Sequence, residues 1–232
     1  MKILAVDSTA VAASVSLCEG ERLLGEYTIQ NGNTHSQTLL PMIESLLSSF
    51  GMTPQDVDLF AVSAGPGSFT GVRIGVATIK GLAFGTEKPC IGVSTLEALA
   101  QNLTVTDGLI CPVMNARRGQ VYTALFRCVG GVLERLMSDS AIPIEELNAI
   151  LEGYGEPIRL CGDGYEITVP RLTCSVLATP DRLRHQSAYG VAQRARISYA
   201  SGIRTTDAEL VPVYLRPSQA ERERAEREKA ST

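Results

Sequence analysis

Lys2-Ile3-Leu4-Ala5-Val6-Asp7-Ser8-Thr9, then Val11 to Leu17, then, past the turn Glu19-Gly20-Glu21, Leu23 to Ile29: this opening decides the fold. The first run is short, apolar and rich in strand formers, and turn residues separate each run from the next. Three strands joined by tight turns form an antiparallel meander. Downstream, Leu39, Ile43, Leu46, Leu47 and Phe50 recur at the spacing of one helix face, and Gly51 closes that helix. Pro41 falls inside it and either kinks it or marks its first turn. Leu59 to Ala64 reads as a buried strand ending at Gly65, after which Ser68 or Thr70 caps a helix from Gly71 to about Phe84. Cys90 to Val93 is a further strand, and Ser94 caps a helix through Leu96, Leu99 and Ala100. The order β-β-β-α-β-α-β-α is then complete, and Asn102 to Gly108 breaks it.

From Leu109 the opening pattern starts again. A strand runs to Met114, the turn Asn115 to Gly119 leads to a strand Val121 to Cys128, and Gly130-Gly131 leads to a strand ending at Met137. A helix near Glu145 to Leu151, a strand Ile158 to Cys161 and a helix from about Ser187 to Ser201 follow. The repetition is of topology rather than of residues. It resembles the duplicated ribonuclease-H-like lobes of the actin, sugar-kinase and Hsp70 superfamily. The expected fold is therefore α/β, with two such lobes built on mixed sheets flanked by helices. Residues 1–104 make the first lobe and 105–217 the second. Residues 218–232, nearly all Glu, Arg, Lys and Ala, form a charged, solvated tail.

Composition excludes several classes. With 232 residues, 44% of them hydrophobic, the chain buries a core without help from metals or disulfides. Its 21 basic and 25 acidic side chains leave a net charge of -4, so the molecule as a whole lacks the positive field that gathers nucleic-acid phosphates. Arg182, Arg184, Arg194, Arg196 and Arg204 read as a solvated face rather than an RNA-binding module, since only Tyr189 and Tyr199 lie among them. Cys18, Cys90, Cys111, Cys128, Cys161 and Cys174 are scattered singly among apolar neighbours, without a C-x-x-C pair or nearby histidines, and read as reduced core residues of a cytoplasmic protein. No apolar stretch approaches the roughly 20 residues of a membrane span, so neither an anchor nor an export signal is expected.

Two loops carry candidate chemistry. In Ala64-Gly65-Pro66-Gly67-Ser68-Phe69-Thr70-Gly71, between a strand and a helix, glycines permit either a tight packing turn or an approach of free amides to an anion. The Walker lysine and the G-x-G-x-x-G spacing are both missing, which favours packing. Asp7-Ser8-Thr9 reads either as an Asx turn or as a hairpin whose acid orients magnesium or water. Gly65, Gly67, Ser68 and Thr70, with Asp7, Ser8 and Thr9, are thus candidate anion or nucleotide loops. Inside the helix, Gly71, Gly75 and Gly81 with Ala77 and Ala83 form a small-residue face that invites close contact with the sheet or with another helix.

The opening Ile3 to Thr9, Thr34-His35-Ser36-Gln37, the Gly65 to Gly75 loop, Ala116-Arg117-Arg118-x-x-Val121-Tyr122 and Pro212-Val213-Tyr214-Leu215-Arg216 together resemble the bacterial TsaB (YeaZ) family, over residues 3 to 216. The resemblance implies a role in making threonylcarbamoyladenosine next to the tRNA anticodon. In that system TsaD carries the metal and transfers the group, TsaE is a P-loop ATPase, TsaC supplies the intermediate, and TsaB is a non-catalytic scaffold that dimerises with TsaD. The catalytic relative resembles G-V-N-H-L-E-G-H where this chain reads Gly92-Val93-Ser94-Thr95-Leu96-Glu97-Ala98-Leu99, so Thr95 and Leu99 stand in place of two metal-binding histidines. The only histidines, His35 and His185, read as a helix-start hydrogen bond and a surface helix position. At the second lobe's turn the family's usual acids are replaced by Asn115 and Gln120, which weakens an ion role there, while Arg117 and Arg118 remain candidates for a partner's carboxylates or phosphates.

The expectation that follows is an accessory subunit with no catalytic or metal site of its own. ATP or ADP is expected only at the assembled interface, tRNA only through the complex, and a homodimer in isolation. Its partner surface is expected at Leu39, Ile43, Leu46, Leu47, Phe50, Arg73, Ile74, Ala77, Thr78 and Gly81. The rival readings are an independent ATP-binding enzyme of the superfamily and a metallopeptidase-like protein.

Overall fold

The structure is a computed structural model that describes residues 1–30, 32 and 34–216; the expected tail at 218–232 lies outside them. Strands β1 (Lys2–Asp7), β2 (Ala13–Glu19), β3 (Arg22–Ile29), β4 (Leu59–Gly65) and β5 (Cys90–Ser94) form one sheet in the order β3-β2-β1-β4-β5. The first three are antiparallel neighbours, and β4 and β5 join β1 in parallel. Strands β6 (Gly108–Asn115), β7 (Gln120–Val129), β8 (Val132–Pro143), β9 (Ile158–Cys161) and β10 (Val176–Leu177) form the second sheet in the order β10-β9-β6-β7-β8. Read from the other edge, that is the first sheet's order again. The two mixed five-stranded sheets are the duplicated lobes that the second meander announced.

Strands β1 and β4 are buried almost end to end, which is why they read as unbroken apolar runs instead of alternating. Helices α1 (His35–Ser48) and α2 (Phe69–Ala83) cover one face of the first sheet, where Leu39, Ile43, Val72 and Ile79 meet Leu4, Leu17 and Phe60. Pro41 lies inside α1, beyond its first turn, and faces solvent. The opposite face is covered by α6 (Ala188–Ala200), so a helix from the end of the chain closes the first lobe, across the linear boundary at residue 104. Its N-terminus is held by Glu26 of β3, whose Oε1 accepts from the Ser187 hydroxyl at 2.7 Å and the Tyr189 amide at 3.0 Å.

Helix α3 (Thr95–Gln101) lies between the lobes, capped by Ser94, whose Oγ accepts from the Glu97 amide at 3.2 Å. Its Leu96, Leu99 and Ala100 pack with Ile110, Met114 and Phe126 of the second sheet. Helix α4 (Ile144–Glu152) covers that sheet's outer face, and α5 (Tyr165–Thr168) is a single turn after β9. A charged chain braces the junction. Glu97 of α3 pairs with Arg194 of α6 and, at 3.4 Å, with Arg135 of β8, which reaches Asp139 and through it Ser94. Among the described residues no helix is long and apolar enough to cross a membrane.

Candidate functional site at the lobe junction

The loop Asp7-Ser8-Thr9 leaves β1 at the junction, and all three residues are buried. Asp7 Oδ1 accepts from the Thr9 amide at 2.9 Å and the Thr9 hydroxyl at 2.7 Å, an Asx turn, while Oδ2 accepts from the Ser63 hydroxyl at 2.5 Å. The Asx turn, one of the two readings of this loop, is present. Burial pushes the Asp7 carboxyl above the ordinary carboxylate value, against the opposing pull of Ser63, Thr9 and the nearby His35. His35 lies at the start of α1 and its Nε2 bonds the Ala10 carbonyl at 2.7 Å, while its Nδ1 is buried without a partner. Nε2 therefore carries the proton.

A raised folded pKa means that the native state holds this proton more tightly than the unfolded chain does. Asp7 thus contributes stability that is full below the ordinary carboxylate value and lost as pH rises through the raised one. Asp7→Asn keeps an acceptor for Thr9 but cannot ionise. In urea titrations across the acid range, the variant is expected to gain on the natural chain as pH rises; parallel curves would contradict the burial argument.

The glycines of the second loop serve close packing. A Cβ on Gly71 would clash with the Ser8 carbonyl, one on Gly67 with the Thr9 backbone, and one on Gly65, whose φ is 122°, with the Val213 carbonyl. Ser68 caps α2, its Oγ accepting from the Gly71 amide at 3.3 Å, and its own amide donates to the Thr9 carbonyl at 2.7 Å; Thr70 is exposed. The space on the Cβ side of Gly65, Gly67 and Gly71 is filled by the chain's own backbone, as a tight packing turn requires.

What fills it is partly a strap that the sequence reading assigned no role. Residues 205–216 run along α2, with Leu210 buried in the first core and the Val213 amide donating to the Ala64 carbonyl at 2.7 Å. Tyr214 stacks on Phe69 at 4.5 Å between ring centroids, and Arg73 lies over Phe69 at 4.1 Å and donates from Nε to the Tyr214 hydroxyl at 3.0 Å. The strap ends at Arg216, whose guanidinium donates to the Ala116 carbonyl of the second lobe at 3.0 Å. Asp163, also unassigned, accepts from the Asn115 amide at 3.2 Å; burial raises its pKa, and Asp7 across the junction adds to the rise. Its flanking glycines, Gly162 and Gly164, are packed against Val113 and were the available signal.

The expected partner surface divides in two. Leu39, Ile43, Leu46 and Leu47 are at most 3% exposed and belong to the first lobe's own core, which corrects their placement on an interface. The sheet lies against that stripe, and its apolar strands bury it. Phe50 stays 43% exposed, lying over Gly25. On α2, Arg73, Ala77 and Gly81 face outward and Ile74 and Thr78 are half-buried, so this part of the surface is open.

The replaced ligand positions are both in the core. Leu99 packs between the lobes, and Thr95 is fully buried with its hydroxyl unpartnered. Among the described residues no group of three His, Cys, Asp or Glu side chains is placed to hold a metal ion, and the six cysteines are free thiols, all but Cys174 buried. His185 sits in a bend before α6 rather than on a helix, 3.6 Å from Asp181. Of the arginines weighed for RNA, Arg184, Arg194 and Arg196 pair with Glu166, Glu97 and Glu21, and Arg204 lies on the Tyr199 ring. Carboxylates thus neutralise three of the five, while Arg182 and Arg204 are exposed to solvent.

Comparison with known proteins agrees with this arrangement. Residues 26–196 match the family model described as TsaD, tRNA N6-adenosine threonylcarbamoyltransferase. The chain is 33% identical over 222 residues to the tRNA threonylcarbamoyladenosine biosynthesis protein TsaB of Bacillus subtilis, covering 95% of this chain and 96% of that one. It is 30% identical to the Haemophilus influenzae protein of the same name, over 93% of this chain and 94% of that one. The solved structure of YeaZ from Pseudomonas aeruginosa superposes with a TM-score of 0.80 at 29% identity, covering 92% of this chain and 99% of the other. With this topology, these packed loops and this extent of likeness, the chain belongs to the TsaB (YeaZ) family, whose fold is shared with the TsaD transferases.

Proposed function

We propose that the chain is a non-catalytic subunit of the machinery that makes threonylcarbamoyladenosine in tRNA, and that it docks on the TsaD transferase through the open face of α2. The observation that carries this reading is the burial of Thr95 and Leu99, the two positions where the catalytic relative resembles a pair of metal-binding histidines. A hydroxyl and a leucine sealed between two lobes hold no ion. The packed glycine loops and the braced junction likewise argue against a kinase that closes on nucleotide. The scaffold remains, and with it an outward face of small residues at Ala77 and Gly81, beside Arg73 and the exposed Phe84. Small side chains let a partner helix approach closely, and the same face, being self-complementary, pairs two copies when the transferase is absent. TsaE joins the assembled pair, and any ATP or ADP bound there is held with groups that the partners bring.

The test is co-purification of the chain with TsaD, comparing the natural sequence with Ala77→Arg/Gly81→Arg. Both positions are exposed and no atom lies within 4 Å of a Cβ on Gly81, so the variant keeps its fold. The complex is expected to weaken by about a hundredfold, because two cations are driven into a close-packed apolar contact. Retained complex discards this face, and modification of tRNA by the purified chain alone discards the whole reading.

A further inference from the structure

The two lobes meet at α3, and two kinds of contact hold them there. The first is apolar: Leu96, Leu99 and Ala100 bury against Ile110, Met114 and Phe126. Burial of this kind is non-directional, so it keeps the surfaces together without fixing how one is turned on the other. On its far side α3 is clamped to α6, where a Cβ on Gly190 would run into the Ala98 carbonyl. Helix α3 therefore belongs with the first lobe, and the seam open to change is the one toward β8.

The second kind of contact is directional and crosses that seam twice. Glu97 of α3 is held from both sides, its Oε1 by Arg194 of α6 and its Oε2 by Arg135 of β8 at 3.4 Å. Arg135 also donates from Nη1 to Asp139 Oδ1 at 2.5 Å, and Asp139 Oδ2 accepts from the Ser94 hydroxyl at 2.5 Å. The Arg135 guanidinium lies 4.6 Å from the centre of the Phe126 ring, against the apolar half of the same seam. The four charged side chains are 16 to 32% exposed, sheltered enough to strengthen the pairing and open enough to feel dissolved salt. Charges that share partners in a network are also the case in which ion pairs near a surface contribute measurably.

One acid thus carries the attraction between the lobes. With Glu97 ionised, a guanidinium from each side is drawn to a single carboxylate. Without that charge, Arg194 loses its carboxylate and Arg135 keeps only Asp139, on its own strand. We propose that Ser94, Asp139, Arg135, Glu97 and Arg194 form an electrostatic latch that fixes how α3 sits on the second sheet. Loss of the contact between Arg135 and Glu97 opens the seam between α3 and β8 while each sheet stays folded. The latch goes beyond the proposed function and is independent of it.

Hydrogen exchange of the full chain, read by mass spectrometry, tests this in the natural sequence, in Arg135→Met and in Glu97→Gln. Methionine keeps an unbranched stem over Phe126 and removes only the charge and its bonds. The α3 amides of Arg135→Met are expected to exchange about tenfold faster, and those of Glu97→Gln faster still, with β1 and β6 unchanged. Raising sodium chloride from about 50 mM to about 1 M, where the screening length falls to about 3 Å, should bring the natural chain toward Arg135→Met and leave that variant where it is. Unchanged α3 exchange in Arg135→Met overturns the latch. An equal rise across β1 and β6 overturns it too, since Arg135 then only stabilises the fold as a whole, and so does a natural chain whose α3 is indifferent to salt. Glu97→Gln leaves Arg194 largely buried and unpaired; if it fails to fold, Arg135→Met alone decides.

Discussion

Leu47→Glu is expected to unfold the first lobe rather than to dissociate a partner. Leu47 is 3% exposed and packed in the core that α1 and α2 share with β1, β2 and β4. Truncating a buried leucine costs about 2 to 5 kcal/mol, and an ionised carboxylate left there without a partner adds several more. A domain of ordinary stability has about 5 to 15 kcal/mol in all, so a loss of about 5 kcal/mol or more leaves the lobe largely unfolded. Thermal melting by circular dichroism checks this. The variant should show little cooperative transition, while Ala77→Arg/Gly81→Arg on the open face melts close to the natural chain. A Leu47→Glu protein that melts normally yet fails to bind TsaD would mean that α1 turns its stripe outward, against the packing described above.

Gly71→Ala is expected to cost about 3 kcal/mol, at the upper end for overpacking by one methyl group. The added Cβ runs into the Ser8 carbonyl, which is backbone and held in place by the Asx turn at Asp7, so relief requires α2 to move off the sheet. The hydrogen bond from the Ser8 hydroxyl to the Gly71 carbonyl, 2.8 Å long, is lost in that movement. Because α2 also carries Arg73, Ala77 and Gly81, partner binding should weaken with the fold. Gly81→Ala is the contrast: it meets nothing, and a helix gains up to about 1 kcal/mol when alanine replaces glycine. Urea midpoints for the two variants should move in opposite directions, and a Gly71→Ala protein within about 1 kcal/mol of the natural chain would refute the clash.

Much of this architecture was legible in residues 2 to 29 and their echo from Leu109, because a meander depends on neighbouring residues. Ser68 and Ser94 announced their helices for the same reason: a cap acts within one turn. The Asx turn at Asp7 is likewise a local event. Periodicity in α1, by contrast, stated only that Leu39, Ile43, Leu46 and Leu47 share a side; it carried no information about whether that side meets a sheet or a partner. Glu26 at the start of α6, the strap along α2, and Asp163 near Asp7 join residues far apart in the chain, and no local signal reports such pairs.

By itself, then, the order of apolar runs, turn residues and caps determined most of the strands, the longer helices and the doubled topology, since each is set by interactions within a few residues, but not the two-residue β10, the single turn α5 or the full length of β8. The tertiary structure alone decided which helix face is core and which is open, where the arginines are neutralised, and that α6 returns to the first sheet. Burial and charge pairing are properties of the space between elements, and that space exists only once the chain has closed on itself.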